Sequence, residues 1–252
     1  MTPRIPILSA ADGQDVGITH ICAPLMKWAG GKRRLLKFIL PHFGCAAGMY
    51  FEPFVGGGAV FFALGRERSI IGDANPELTN CYQQVQSSLG ALIKRLRRLK
   101  NSRSDYYRVR DWEPRNDLDR AARMLYLTRL SFNGIYRQNC SGKFNVPYGF
   151  KEHLPVVDEA HLWGAHAMLT NAVIRTGDFS DTAADAEAGD TVYFDPPYTV
   201  AHGNNGFLKY NARIFSWEDQ RRLAIFADQL RVRGCTVAVS NADHPYPSGQ
   251  TV

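Results

Sequence analysis

The chain has 252 residues, enough to bury a sizeable core in one large domain or two smaller ones. It is 45% hydrophobic and 21% charged, the composition of a globular protein, and no apolar run approaches the roughly 18–20 residues of a membrane-spanning helix. The net charge of +6 is unevenly placed: residues 1–80 carry +2, residues 81–171 carry +7 and residues 172–252 carry −3, so the middle third is either a solvated basic face or a polyanion-binding surface.

Residues 1–20 read as a loose leader; Asp12, Gln14 and Asp15 interrupt any signal-peptide core. The five cysteines (Cys22, Cys45, Cys81, Cys140 and Cys235) show no C-x-x-C spacing, so neither a zinc site nor a disulfide framework is indicated. A reducing, cytoplasmic setting is the default for such usage.

The first strong element is a strand over 49–54, ending in Glu52-Pro53-Phe54 and running into Gly56-Gly57-Gly58. A helical stretch (59–64) and a second strand (69–73) ending in Asp73 follow. Asp73 lies 21 residues after Glu52, so this is a strand, glycine loop, helix, strand, acid unit. Such a unit suits a nucleoside: glycines admit the ligand to the backbone and the acid accepts from ribose hydroxyls. A dinucleotide fingerprint fails because the third glycine position is Phe61. A P-loop over 26–33 fails because Met26 stands where glycine is required and Arg33 replaces Ser/Thr. A ligand with ribose but no phosphate fits better.

A long helix is expected from Pro76 to about Lys100, with Leu78, Tyr82, Val85 and Leu89 on one face, and another over 105–131. Residues 131–150 mix aromatics, amides and basic groups, and Ser141-Gly142 closes a hairpin between 135–139 and 143–146. Strands over 172–174, 191–194 and 235–239 then alternate with a helix capped by Ser216 and Asp219, whose buried face carries Leu223, Phe226, Ala227 and Leu230. The alternation implies an α/β fold with a mostly parallel sheet, and ligands at the carboxyl ends of its strands.

The strand over 191–194 leaves through Asp195-Pro196-Pro197-Tyr198. Two prolines stiffen the backbone and remove N–H donors, leaving carbonyl acceptors. Acid, carbonyl and aromatic ring together form a clamp for a planar group bearing an amine, such as a nucleobase. The bland alternative is a strand ending in a proline turn.

Asp195-Pro196-Pro197-Tyr198 resembles the DPPY signature of amino-methyltransferases that use S-adenosylmethionine. With "PLMKWAGGKRRLL" (24–36) first, "FEPFVGGGAVF" (51–61) second, the basic insertion third and DPPY last, the chain resembles the Dam-type (alpha-class, D12) DNA adenine-N6 methyltransferases over roughly residues 24–243. The resemblance implies a Rossmann-like sheet formed by 22–80 and 172–252, with an inserted, mainly helical target-recognition domain (81–171) bearing the hairpin. It implies S-adenosylmethionine as cofactor, lined by Trp28, Ala29 and Lys32, the last near the methionine carboxylate. Phe54, Gly56 and Gly58 would form the loop beneath it, Asp73 would hold the ribose, and Asp178 and Phe179 would meet its adenine.

It implies catalysis by Asp195, Pro196, Pro197 and Tyr198 on the N6 amine of an adenine flipped out of double-stranded DNA, with Asp195 also beside the cofactor and no metal. For DNA it implies Lys27, Phe132, Asn133, Arg137, Asn139 and Pro147. Arg137 is a candidate for a bidentate guanine contact or a phosphate contact, Pro147 for a thymine methyl, Lys27 for another base, and Phe132 and Asn133 for the space the flipped base vacates. Arg95, Arg97, Arg98 and Arg103 fit phosphate binding or solvation equally. A monomeric, cytoplasmic, prokaryotic or phage-encoded enzyme is expected. Alternatives are a cytosine-N4 or RNA adenine-N6 enzyme. Because the family continues past the strand written here as "VAVSNAD", a shortened, catalytically silent DNA-binding relative is a further alternative.

Overall fold

The computed structural model describes residues 22–44, 48–139, 141–197 and 215–241; Tyr198, Cys45, Cys140, residues 1–21 and the stretch from 242 onward lie outside it. Strands β1 (Tyr50–Glu52), β2 (Ser69–Asp73), β3 (Val173–Thr176), β4 (Thr191–Phe194) and β5 (Thr236–Val239) form one sheet in the order β3-β2-β1-β4-β5. Every neighbouring pair is parallel, with Phe51 in register with Ile70 on one side and Val192 on the other.

Side chains on a strand alternate between the two faces, and here both faces are covered. Tyr50, Ile71 and Tyr193 pack into one core, which continues into the helical region. Phe51, Ile70, Val192 and Phe194 pack into the other, against Phe179, Phe215, Leu223 and Leu230. This is why the central strands are apolar at successive positions and why Glu52, buried on β1, stands out.

Nine helices occur among the described residues: α1 (Leu36–Ile39), α2 (Ala59–Leu64), α3 (Pro76–Ser87), α4 (Leu89–Leu96), α5 (Arg103–Asp111), α6 (Asp117–Leu130), α7 (Glu159–Leu169), α8 (Phe179–Thr182) and α9 (Trp217–Val232). The helix expected over 76–100 breaks at Ser88, which leaves helical geometry at φ −136° and joins α3 to α4. The one expected over 105–131 is two helices. Pro114 cannot continue a helix, and Asn116 caps the next one by accepting from Asp119 N at 2.8 Å. Helix α7 was not anticipated, though Asp158 caps it by accepting from His161 N at 3.2 Å and Leu162, Ala165 and Leu169 form its buried stripe.

The 131–150 segment is held by aromatic packing beneath it. Tyr106 stacks on Tyr126 at 6.2 Å and lies 5.2 Å from Tyr148. The Tyr106 hydroxyl donates to Val146 O at 3.0 Å and that of Tyr148 to Asn101 Oδ1 at 2.7 Å. The hairpin is present, though too short to form named strands. Gln138 bridges Phe144, Asn139 N donates to Lys143 O at 2.9 Å and Asn145 N to Arg137 O at 3.1 Å.

Helix α9 begins with the expected capping box: Ser216 Oγ accepts from Asp219 N at 3.1 Å while Asp219 Oδ2 accepts from Ser216 N at 2.9 Å. Of its expected face, Leu223 and Leu230 are buried, and Phe226 and Ala227 pack partly buried against them. Replacing Ser216 with Ala should lower global stability by about 1 kcal/mol in a urea titration; an unchanged transition midpoint would show that the cap is dispensable.

Candidate active site

The strand order reverses direction between β1 and β4, so the loops leaving these two strands diverge and open a crevice at their carboxyl ends. The glycine loop leaves β1 there and Asp195-Pro196-Pro197 leaves β4.

The glycine loop is built by close contacts. Gly56 and Gly58 adopt positive φ (49° and 78°), which a side chain would strain. A Cβ on Gly56 would stand 2.8 Å from Trp28 Cδ1, and one on Gly57 would stand 2.5 Å from Met26 O. The 25–28 segment therefore lies directly on the loop, with Leu25 N donating to Gly57 O at 3.0 Å. Two further bonds fix the loop: Gly56 N donates to Asp73 Oδ2 at 3.2 Å, and the buried Tyr82 hydroxyl donates to Gly56 O at 2.8 Å. Asp73 Oδ1 accepts from Asn75 N at 2.9 Å. Desolvation raises the Asp73 carboxyl to about 6, against the opposing pull of those two N–H donors.

Lys32 is 5% exposed, and its ammonium pairs with Asp195 Oδ1 at 2.5 Å and donates to Gly30 O at 2.8 Å. The first motif and the DPPY motif, 163 residues apart in the chain, thus meet through one ion pair. Beside them sits Glu52, 2% exposed, its Oε2 accepting from the Tyr50 hydroxyl at 2.8 Å. Burial pushes Glu52 up to about 8, and the Asp195 charge adds to it, while the Tyr50 hydrogen bond and Lys32 act the other way. Burial thus favours the protonated form of Glu52 beside the Lys32–Asp195 pair. Sequence reading missed this role, although an acid inside a strand buried on both faces was visible.

Phe54 stacks on Phe179 at 5.6 Å, and both meet Phe194 and Phe215 edge-on. Phe179 is 3% exposed, enclosed in this cluster. Asp178 caps α8. Its Oδ1 accepts from Ser180 N at 3.0 Å, Ser180 Oγ at 2.6 Å and Arg222 Nη2 at 3.0 Å. Desolvation opposes ionisation there, yet the Ser180 hydrogen bonds and the Arg222 charge hold its carboxyl below the ordinary value. Pro196 is buried, and Pro197 O accepts from Gln220 Nε2 at 3.4 Å. Ala29 is exposed at the turn before Lys32.

The residues expected at DNA are exposed, and Lys27 and Asn133 line one cavity with Trp28, Ala29 and Gly57. Phe132 is 54% exposed; Asn133, in left-handed geometry at φ 54°, follows it, and Phe132 N donates to Pro147 O at 2.9 Å. Lys27 is exposed and its stem covers Gly134, where a Cβ would come within 2.6 Å of Lys27 Cδ. Arg137, Asn139 and Pro147 are exposed. Asn139 Oδ1 accepts from Ser141 N at 3.1 Å and Lys143 N at 2.9 Å, so it closes the turn. Of the helical arginines, Arg95 pairs with Asp119, Arg97 pairs with Glu159, and Arg103 lies over the Phe150 ring. Tyr136, which no motif flagged, stacks on Trp28 at 5.0 Å and joins the hairpin to the glycine-loop side.

The profile of the D12 class N6 adenine-specific DNA methyltransferase family matches residues 28–247. The chain belongs to the D12 class of N6 adenine-specific DNA methyltransferases. It is similar to the type II methyltransferase M1.LlaDCHI of Lactococcus lactis subsp. cremoris, 40% identical over 235 residues that cover 88% of this chain and 82% of the relative. It is also similar to the type II methyltransferase M.MjaIII of Methanocaldococcus jannaschii, at 37% identity over 87% of this chain and 84% of the relative. The DNA adenine methylase of Escherichia coli K12 is 34% identical over 86% of this chain and 80% of its own length. The protein is thus a transferase acting on DNA adenine. No described helix is long and apolar enough to cross a membrane.

The raised pKa of Glu52 has a measurable sign. The folded protein keeps its proton up to about pH 8, whereas the unfolded chain releases it near the ordinary value of 4.5, so stability falls as pH rises between them. Glu52→Gln removes this dependence. In urea titrations the stability of the variant relative to wild type should therefore rise with pH across that window; parallel curves would show that Glu52 is ionised when folded.

Proposed function

We propose that the crevice binds S-adenosylmethionine and that the enzyme methylates the N6 amine of an adenine extruded from double-stranded DNA. The observation that carries this reading is the convergence of Asp195, the glycine loop and Asp73 at the carboxyl ends of β4, β1 and β2.

The residues fit the cofactor. Asp73 is a desolvated carboxylate with each oxygen holding one backbone N–H, and a pair of ribose hydroxyls would supply the donors that favour its ionised form. Gly56 and Gly58 leave the loop without side chains there. Phe54, half-buried, offers apolar surface for the adenine with Phe179 packed behind it, and Asp178 keeps Oδ2 clear of the three bonds on Oδ1. Lys32, Trp28 and Ala29 bound the methionine end. When bound, S-adenosylmethionine supplies an electrophilic methyl group on a sulfonium.

Asp195 accepts a hydrogen bond from the target N6, the Pro196 carbonyl accepts a second, and Tyr198 stacks on the base. Two acceptors would hold the amine and stabilise the positive charge that grows on nitrogen. Positioning supplies most of the rate. The pairing with Lys32 fixes the orientation of Asp195 for this task. A protonated Glu52 avoids a second anion that would compete for Lys32.

Residues 22–80 and 172–252 form the catalytic portion in this reading and 81–171 the target-recognition portion. Its exposed hairpin enters the major groove with Arg137 at a guanine, Pro147 at a thymine methyl and Lys27 at a further base. Phe132 and Asn133 take the place of the flipped adenine. A cytoplasmic setting follows from a DNA substrate in a prokaryotic or phage-infected cell.

Asp195→Asn should lower kcat by about 10²- to 10³-fold, as loss of one transition-state contact does, with cofactor affinity nearly unchanged by calorimetry. Near-full activity would overturn the assignment, as would N4-methylcytosine rather than N6-methyladenine in nucleoside mass spectra of the product. Cofactor binding should weaken as pH falls through about 6, where Asp73 takes up a proton, and Asp73→Asn should bind weakly at every pH; a wild-type affinity flat across that range would remove Asp73 from the ribose.

A further inference from the structure

On the outer face of the recognition hairpin, Arg137 and Asn145 stand opposite one another. Asn145 N donates to Arg137 O at 3.1 Å, and Arg137 Nε donates to Asn145 Oδ1 at 2.8 Å. The flanking residues fix the position of Asn145. Phe144 and Val146 are 5% and 3% exposed, so alternation along the strand turns Asn145 outward on the same side as Arg137. The turn beyond is closed by Asn139, and the base is tied down by the Tyr106 hydroxyl on Val146 O at 3.0 Å. Among the described residues no carboxylate forms an ion pair with Arg137. Its charge is left for a partner from outside the chain.

An arginine can meet the O6 and N7 atoms of guanine in two ways: end-on through its two terminal nitrogens, or side-on through Nε and one of them. With Nε held by Asn145, only the end-on edge remains. We propose that Asn145 is a positioning residue for base recognition: it holds Arg137 at Nε so that the guanidinium meets guanine end-on, and so contributes to sequence discrimination without touching the base. The inference rests on the reading that Arg137 contacts guanine. A free arginine would have to lose rotamer freedom on binding, whereas one already held at Nε has lost much of it. A phosphate contact needs no such fixed edge, because a guanidinium can approach phosphate oxygens from several directions.

The test measures methyl transfer on duplexes carrying the target site, first mapped by sequencing modified adenines, and on duplexes in which each guanine pair of that site is replaced in turn. Arg137→Ala should lose about 5- to 150-fold of discrimination at one guanine position. Asn145→Ala should lose a smaller part, about 3- to 10-fold, at that same position through a higher KM with kcat unchanged. Asn145→Asp should restore it, because a carboxylate also accepts from Nε. In the Arg137→Ala background, Asn145→Ala should add nothing. If Arg137→Ala loses discrimination while Asn145→Ala and Asn145→Leu keep it, the positioning role falls and the guanine contact stands. If Arg137→Ala weakens binding equally at all positions, the residue holds a phosphate and both readings fall. An Asn145 effect of equal size in the Arg137→Ala background, or spread over all positions, would mark a structural role and overturn the inference.

Discussion

The pairing of Lys32 with Asp195 is the interaction on which the crevice depends. A lysine ammonium at 5% exposure is costly unless a carboxylate and a backbone acceptor meet it, and Asp195 and the Gly30 carbonyl do so. Three features accompany that pairing. The first motif is folded onto the sheet rather than left as a surface turn. Asp195 is oriented by a residue of the first motif. And Glu52, in the same enclosed space, is pushed toward its protonated form by burial first, with the Asp195 charge adding to it.

The sheet decides where this cluster can exist. With β1 in the centre and β4 beside it, the chain leaves both strands at the same edge but travels away on opposite sides, which favours a crevice there. The alternating faces then divide the labour. Tyr50, Glu52 and Tyr193 belong to the face that continues into the helical region, where Tyr50 can support Glu52. Phe51, Val192 and Phe194 belong to the other, where Phe54 and Phe179 extend the apolar surface toward the ligand side. A one-residue slip of β1 would exchange these sets and place Glu52 among phenylalanines.

What could be read in the sequence was local. Glycines that need positive φ, a proline pair after a buried strand and a capping box at Ser216 declare themselves within a few residues, and each stands where its spacing placed it. The breaks at Ser88 and around Pro114 were legible in principle, since the polar Gln86-Ser87-Ser88 marks the first and a proline the second, but apolar periodicity runs across them and masked the interruption. Helix α7 carries its own cap and stripe, and it was overlooked because His161 and His166 interrupt the apolar texture. The Tyr136 stack on Trp28, the raised pKa of Glu52 and the grip of Asn145 on Arg137 join positions from 8 to 143 residues apart, or depend on burial. No local pattern encodes them.

Trp28 shows how the two portions constrain each other. One face of its ring meets Tyr136, next to Arg137 on the hairpin, and its edge lies against Gly56, where a Cβ would leave no room. The Gly56 N–H is held by Asp73 and its carbonyl by Tyr82. A shift of the hairpin must therefore either slide the Tyr136 ring over Trp28 or carry Trp28 with it. The first preserves the glycine loop, because offset stacking tolerates lateral movement at little cost. The second would strain a backbone held at both its N–H and its carbonyl. Packing thus lets the hairpin adjust parallel to the indole plane while the loop beneath keeps its shape.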